Sequence, residues 1–513
     1  MEWIRRNETK CQCFAAMMIA MVSLMHTGAA NPHGIPEIDA GIFNSVGMVL
    51  QRDGMPYVDA FDHKGPLLYV INALAMGMGS WHMVAVFEAI ALFAGLFFIF
   101  RIARLRAGFF SSLLIMTLCA WLLNRDMLDY GNLTEEYALP WIALAAWLFL
   151  RFFQKGEIGR RELLLIGFCL SMVVALRPNM IAVWAVGIPI TIWKLVRQQR
   201  LCAGAPWALG GFAAGLAPFL LWMMARGALT SCWESYITFN LHYTQRFPEL
   251  ARQLALLRGN QDSVAVGRYS VFLYFAKKGA WQAFALCILA MAGRRQWRDS
   301  AAWAGLAMLA ASLLVTCMSA MPFGHYGMAM LPALAYPLAV FCGALEQLRF
   351  RNAPAGRYVL VLGSMAFAMS VIFSGVHGYI ALCRQSLTDS KHIYVAQTAA
   401  YISSHTTSDD KILVYGDASM SVLYPLSGRL PASRYLYQYP IIYLEPERQE
   451  EFIEQIGQSL PKMIVTRKDI PEYDPVKGKM EEFMQIHAYE AIPRDIVGTD
   501  ELVIYVLPDG ENR

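Results

Sequence analysis

Residues 31–69 read NPHGIPEIDAGIFNSVGMVLQRDGMPYVDAFDHKGPLLY, and into this stretch are crowded Glu37, Asp39, Asp53, Asp59, Asp62, His63 and Lys64. On either side the chain is almost free of charge, with apolar runs beginning near Cys11 and near Trp81. A helix that crosses a bilayer needs about 20 mostly apolar residues. Further runs of that kind begin near Gly108, Tyr137, Glu162, Met180, Trp207, Gly279, Ala301, Gly327 and Tyr358. The pattern predicts a polytopic α-helical membrane protein of about eleven transmembrane helices, with residues 31–67 forming its first outer loop.

Composition agrees. Of 513 residues 57% are hydrophobic and 16% charged, against about 45–50% and about 25% in soluble proteins. This excludes a cytosolic enzyme, a nucleic-acid-binding protein and a secreted disulfide scaffold, and makes the lipid bilayer the first partner. The net charge of +4 hides a division. Residues 1–383 carry 30 Lys/Arg and 19 Asp/Glu, whereas residues 384–513 carry 13 and 20, at the charge density of a soluble domain. Two domains are therefore expected: a membrane domain, 1–383, and a soluble tail, 384–513, long enough for its own core. Most of the ten cysteines lie in apolar segments, where a thiol behaves as a small hydrophobe.

Basic residues near helix ends stay in the cytoplasm. Arg5, Arg6 and Lys10 precede the first span, and further clusters follow every second one: Arg101 to Arg106, Arg151 to Arg161, Lys194 to Arg200, Arg294 to Arg298 and Arg349 to Arg357. The rule puts the N-terminus inside and the tail outside an inner (plasma) membrane. The basic start and Gly28-Ala29-Ala30 ending of the first run also read as a signal peptide; on either reading, the chain just beyond Ala30 is outside.

Within the first outer loop, Ile42, Phe43, Val46, Val49 and Leu50 recur at helical spacing. They predict an amphipathic helix over 40–51 lying along the membrane surface, and a second short helix is expected over 67–78. Three more polar clusters belong to outer loops: Asp126, Asp129, Asn132, Glu135 and Glu136; then Arg177-Pro178-Asn179; then Gly324-His325-Tyr326. Ionisable groups at a membrane boundary are costly to desolvate and often mark a site, and one outer cavity is expected to gather all four. A carboxylate facing cations there suits group transfer from a lipid phosphate: the carboxylate takes a proton from an acceptor hydroxyl and the cations stabilise the departing phosphate. A proton-coupled transporter uses similar residues, so charge alone leaves both open.

The Asp39-Ala-Gly-Ile-Phe start, the Gly54-Met-Pro-Tyr57 turn and the Asp62-His-Lys64-Gly-Pro-Leu67 stretch resemble the GT-C superfamily of polyprenyl-phosphate-sugar-dependent glycosyltransferases. The likeness is to the branch with protein O-mannosyltransferases and the lipid A aminoarabinose transferase, and it extends through Asn132-Leu-Thr-Glu-Glu136 and His325-Tyr326. The chain departs from the pattern in having one Asp before Ala where many members have Asp-Glu, and Lys64-Gly-Pro for Lys-Pro-Pro. The first departure leaves the base open between Asp39 and Glu37.

The resemblance implies an inverting transferase that moves one sugar, hexose or pentose, from a polyprenyl-phosphate donor to an extracytoplasmic acceptor (envelope glycan, lipid or protein). It implies Asp39 as base, Lys64 with His63 on the lipid phosphate, and Glu135, Glu136, His325 and Tyr326 in support; Arg177, a charge in an apolar setting, needs a partner, either the lipid phosphate or an acidic loop residue. Each has a plainer role too: Asp39 as a helix N-cap, Lys64 reaching lipid headgroups, Glu135 and Glu136 at a helix N-terminus, His325 and Tyr326 in an aromatic belt. Asp59 and Asp62 read as turn formers. No cofactor is expected; a divalent metal would need a stray combination of Glu37, Asp39 and Glu136. A flippase or transporter, or a polymerase, of lipid-linked glycans is the competing class; a transporter predicts charges through mid-membrane and internal repeats.

In the tail, Ile412-Leu-Val-Tyr415, Lys462-Met-Ile-Val-Thr466 and Leu502-Val-Ile-Tyr-Val506 read as buried strands separated by helical stretches, predicting an extracytoplasmic α/β domain. Gly416-Asp-Ala-Ser lacks the spacing of a nucleotide-binding loop. The basic, aromatic stretch 427–435 reads as a surface loop, with contact to the membrane-domain site or to an acceptor glycan as the alternative.

Overall fold

The computed structural model describes residues 6–257, 268–319, 323–349, 354–468, 470–493 and 501–508; Arg5 and Arg351, two of the orienting cations, lie outside them. The chain forms two compact units. One joins Asn31–Val84, Trp222–Val264 and Ala381–Arg513, and the other joins Met1–Ala30, Ala85–Leu221 and Ala265–Ile380. The first combines the outer loop with the tail and is called the loop–tail unit; the second is the helical unit.

In the loop–tail unit, α1 (Ile38–Gln51) starts behind Pro36, with Glu37 in extended conformation at its N-cap. Pro66 occupies the first turn of α2 (Pro66–Gly77), where its missing N–H costs nothing. The expectation of a half-exposed amphipathic α1 fails. Ala40 to Val49 are ten consecutive buried residues, so the helix is enclosed on all sides. Glycine makes that enclosure possible: a Cβ on Gly47 would stand 2.6 Å from the Cβ of Asn72 in α2, and one on Gly41 would collide with Val422 of the tail. Ser45 Oγ donates to the Ser421 carbonyl at 3.1 Å across the same face.

The tail carries a five-stranded sheet in the order β2-β1-β3-β5-β4. Its strands are β1 (Lys411–Tyr415), β2 (Leu430–Pro431), β3 (Met463–Arg467), β4 (Glu490–Ala491) and β5 (Leu502–Val506). β2, β1 and β3 are parallel, and β5 and β4 add antiparallel at one edge. Strands β1 and β3 are buried at four of five positions, which explains their unalternating apolar sequences. The stretch 427–435 is not the free surface loop that its composition suggests: Phe61 N–H donates to the Arg434 carbonyl at 2.7 Å and Arg52 to the Gly428 carbonyl at 2.9 Å.

Five helices among the described residues are long and apolar enough to cross a membrane: Trp81–Ala103, α3 (Thr134–Lys155), Leu201–Ala225, Gly324–Gln347 and Tyr358–Thr388. Six other stretches read as spans carry helices of 13 to 18 residues, among them α4 (Ser300–Thr316). Leu201–Ala225 and Tyr358–Thr388 have mean hydropathies of 1.7 and 2.2 yet are only 17% and 22% buried. Apolar surface left so open is stable facing lipid rather than water.

Candidate functional site

The loop–tail unit brings Asp39, Lys64 and His63 into one body with groups from the tail. Asp39 lies in the first turn of α1, one residue past its start. The N-cap is Glu37, and neither carboxylate caps the helix through its side chain, so the structural role open to Asp39 is not used. Among the described residues the Asp39 carboxylate makes no hydrogen bond or ion pair. It is half-buried and electrostatically coupled to Tyr437.

Lys64 is pre-set by a relay. Its Nζ stands 3.0 Å from His63 Nε2, and His63 Nδ1 stands 3.3 Å from Asp62 Oδ1. Asp62 is not the turn former its sequence suggests. It is 1% exposed and accepts hydrogen bonds from Tyr69 Oη at 2.9 Å and Tyr437 Oη at 3.0 Å. Burial opposes its charge, yet Lys64 and His63 hold the carboxyl well below the usual carboxylate range. Asn240 donates to the His63 carbonyl at 2.7 Å, and the rings of Tyr243 and Phe239 flank the imidazole at 5.1 and 5.5 Å. Lys64 Nζ also lies 5.7 Å above the Phe43 ring. Asp59 does form a turn, accepting from Met55 N–H at 2.7 Å.

The remaining expected residues belong to the helical unit and form a second cluster. Arg177 ion-pairs with Glu135, which also accepts from Thr134 Oγ1 at 2.7 Å. The guanidinium stacks 4.4 Å from the centre of the Tyr326 ring. These groups border a small cleft that is also lined by Asn179, Ser312 and Thr316. His325 Nδ1 stands 3.3 Å from Asp129 Oδ2 and, by that hydrogen bond, holds the Asp129 carboxyl below its ordinary value. So of the neighbouring glutamates it is Glu135 that meets the cleft. Glu136 turns away: it is fully buried and does not line the cleft.

Glu136 is electrostatically coupled to Glu88, which sequence reasoning missed. Glu88 is fully buried and accepts from Asn132 N–H at 2.6 Å and Thr27 Oγ1 at 2.9 Å. Its one signal was a lone acid inside an otherwise apolar span. Among the described residues no three His, Cys, Asp or Glu side chains are grouped to hold an ion.

Comparison with known proteins bears on this arrangement. The sequence profile of the Competence-induced Ccs4 N-terminal domain matches residues 6–205, and no curated protein matches the sequence. The structure is similar to ArnT from Cupriavidus metallidurans bound to undecaprenyl phosphate, at 13% identity over 98% of each chain with a TM-score of 0.61. The apo state of that protein gives 14% identity, the same coverage and the same score. The Archaeoglobus fulgidus oligosaccharyltransferase, in complex with Zn and sulfate, is similar over 88% of this chain and 68% of its own, at 13% identity and a TM-score of 0.50. At such identities the likeness is one of fold.

Proposed function

Since the chain has the GT-C fold, we propose that it is an inverting glycosyltransferase, moving one sugar from a polyprenyl-phosphate carrier to a hydroxyl-bearing acceptor outside the cytoplasm. The supporting observation is that one unit holds both an uncommitted carboxylate, Asp39, and a cation, Lys64, held by His63 and Asp62. The undecaprenyl phosphate bound by the structurally similar ArnT suggests the carrier.

The chemistry comes from those two groups. Asp39 takes the proton of the acceptor hydroxyl. The freed oxygen bonds to the anomeric carbon from the face opposite the carrier, and the bond between that carbon and the phosphate oxygen breaks. The electron pair stays on the phosphate, where Lys64 meets the growing charge as a compact cation. His63 orients the ammonium, and Asp62 orients His63. The phosphate is assigned to Lys64 in preference to Arg177, whose charge Glu135 already meets. Glu37, at the cap of the same helix, is the second carboxylate within the reading. The wider reading keeps eleven spans, an inner-membrane location with the N-terminus inside, and the tail outside.

Purified full-length Asp39→Asn, assayed with radiolabelled sugar on undecaprenyl phosphate, is expected to lose transfer by about 10²–10⁴-fold while keeping its fold. Near-wild-type turnover in a folded variant would rule out Asp39 as base, and the same result with Glu37→Gln inactive would move the role to Glu37.

A further inference from the structure

Lys64 carries a flexible side chain on a main chain that is held from both directions. Its N–H donates to Tyr69 Oη at 3.0 Å, and its carbonyl accepts from Tyr57 Oη at 2.9 Å. Both tyrosines are fully buried, and their rings meet edge to face with centres 5.6 Å apart. The Tyr69 hydroxyl also lies 2.9 Å from Asp62 Oδ2 and 3.2 Å from the Lys64 carbonyl. A hydroxyl has one proton to give, and an ionised carboxylate attracts it more strongly than an amide carbonyl does. Tyr69 therefore donates to Asp62 while accepting from the Lys64 N–H, which leaves the Lys64 carbonyl to Tyr57. The two tasks are distinct: Tyr69 holds the peptide group before the Lys64 Cα, and Tyr57 holds the one after it.

No regular structure supplies these bonds, since residues 61–65 lie outside helix and strand. Tyr57 itself stands at φ +72°, a left-handed conformation that a residue with a Cβ keeps only where its surroundings hold it there. Its N–H donates to the Ala60 carbonyl at 2.8 Å, and the turn so closed carries the phenol to Lys64. Strain of this kind gathers at working sites. With both flanking peptide groups fixed, the Lys64 Cα–Cβ bond has one direction, and His63 and the Phe43 ring narrow what freedom remains. A cation already ordered in this way loses less freedom when it meets a phosphate.

We propose that Tyr57 and Tyr69 are positioning residues for the carrier phosphate, acting through the main chain of Lys64 and touching no substrate themselves. The proposal rests on the reading that Lys64 binds that phosphate, and it adds the pair that aims the ammonium.

The test is a double-mutant cycle on the full-length protein in nanodiscs, with bare undecaprenyl phosphate as the probe. Tyr57→Phe keeps the ring and removes the hydroxyl. Its affinity for the probe is expected to fall roughly three- to tenfold, the worth of one hydrogen bond. Tyr69→Phe removes the partner of Asp62 as well and is expected to lose roughly ten- to a hundredfold. In a Lys64→Ala background, itself weakened, either tyrosine substitution is expected to change the affinity by about twofold at most. A merely structural role predicts otherwise: a lower melting temperature with the folded protein's affinity intact, or the same loss with and without Lys64. Either result overturns the proposal and leaves the carrier reading standing, and either tyrosine alone decides the case if the other variant does not fold. A wild-type protein that does not bind the probe, or Lys64→Ala that binds it unchanged, overturns the carrier reading and the proposal together.

Discussion

Lys64 and Arg177 carry the same charge, and the sequence offers the lipid phosphate as a partner for both, yet the structure treats them in opposite ways. Arg177 is met face to face: Glu135 pairs with its guanidinium and Tyr326 covers its plane at 4.4 Å. Lys64 has no carboxylate partner of that kind among the described residues. The acid that supports it, Asp62, sits one residue further back, behind His63. A directly paired cation is neutralised and becomes part of the wall, whereas a cation supported through an intermediary keeps its charge for a ligand. A cation in a membrane protein is therefore informative only once its nearest acid has been located.

The comparison can be broken most forcefully at Glu135. Glu135→Gln leaves a nearly buried guanidinium without its counter-charge and is expected to cost about 3–5 kcal/mol of stability, read as a large drop in melting temperature in detergent. Combining it with Arg177→Met should recover most of the loss; no recovery would mean that the pair is not what holds this wall together. At Lys64 the expectation reverses. Lys64→Ala should leave the melting temperature nearly unchanged and reduce transfer by about 10²–10³-fold, the usual effect of deleting one charge-stabilising donor. If it instead destabilises like Glu135→Gln, the contrast collapses.

Asp62 sharpens the comparison through pH. Its folded carboxyl is held below the unfolded value of about 3.9, so its contribution to stability is fully present above that pH and drains away as acid protonates it. Asp62→Asn should therefore lose about 2 kcal/mol near neutrality and show a flatter stability profile below pH 4 than the wild type. Equal acid sensitivity in the two proteins would place the titrating group elsewhere. The smallest effect belongs to Tyr437→Phe, which removes one of the hydroxyls on Asp62 and should cost about 1 kcal/mol with turnover barely altered.

How much of this is legible in the chain depends on how far apart the partners lie. Helices α1 and α2 and strands β1, β3 and β5 fall within two residues or so of where local pattern predicts them, because capping and apolar runs are local signals. Asp62 reads as a turn former because one of its decisive partners, Tyr437, is 375 residues away. Glu88 is hidden in an apolar run, since the groups that donate to it there, Thr27 and Asn132, belong to two other segments. The enclosure of α1 escapes sequence reading for the same reason: periodicity reports that one face is apolar, but Gly41 and Gly47 announce nothing until Val422 and Asn72 are beside them. The choice between Glu135 and Glu136 needs a backbone, because adjacent helical residues point about 100° apart.

The contact of α1 with the tail sets an order of events during synthesis. The helix that carries Asp39 leaves the ribosome early, but its Ser45 waits for Ser421, 376 residues later. At about 5–20 residues per second, that interval is roughly 20–75 s. For that time the proposed base exists without its frame, and a prematurely terminated chain would carry the carboxylate but none of the tail that encloses its helix. Synthesis as far as Ser421 is thereby built into the maturation of the loop.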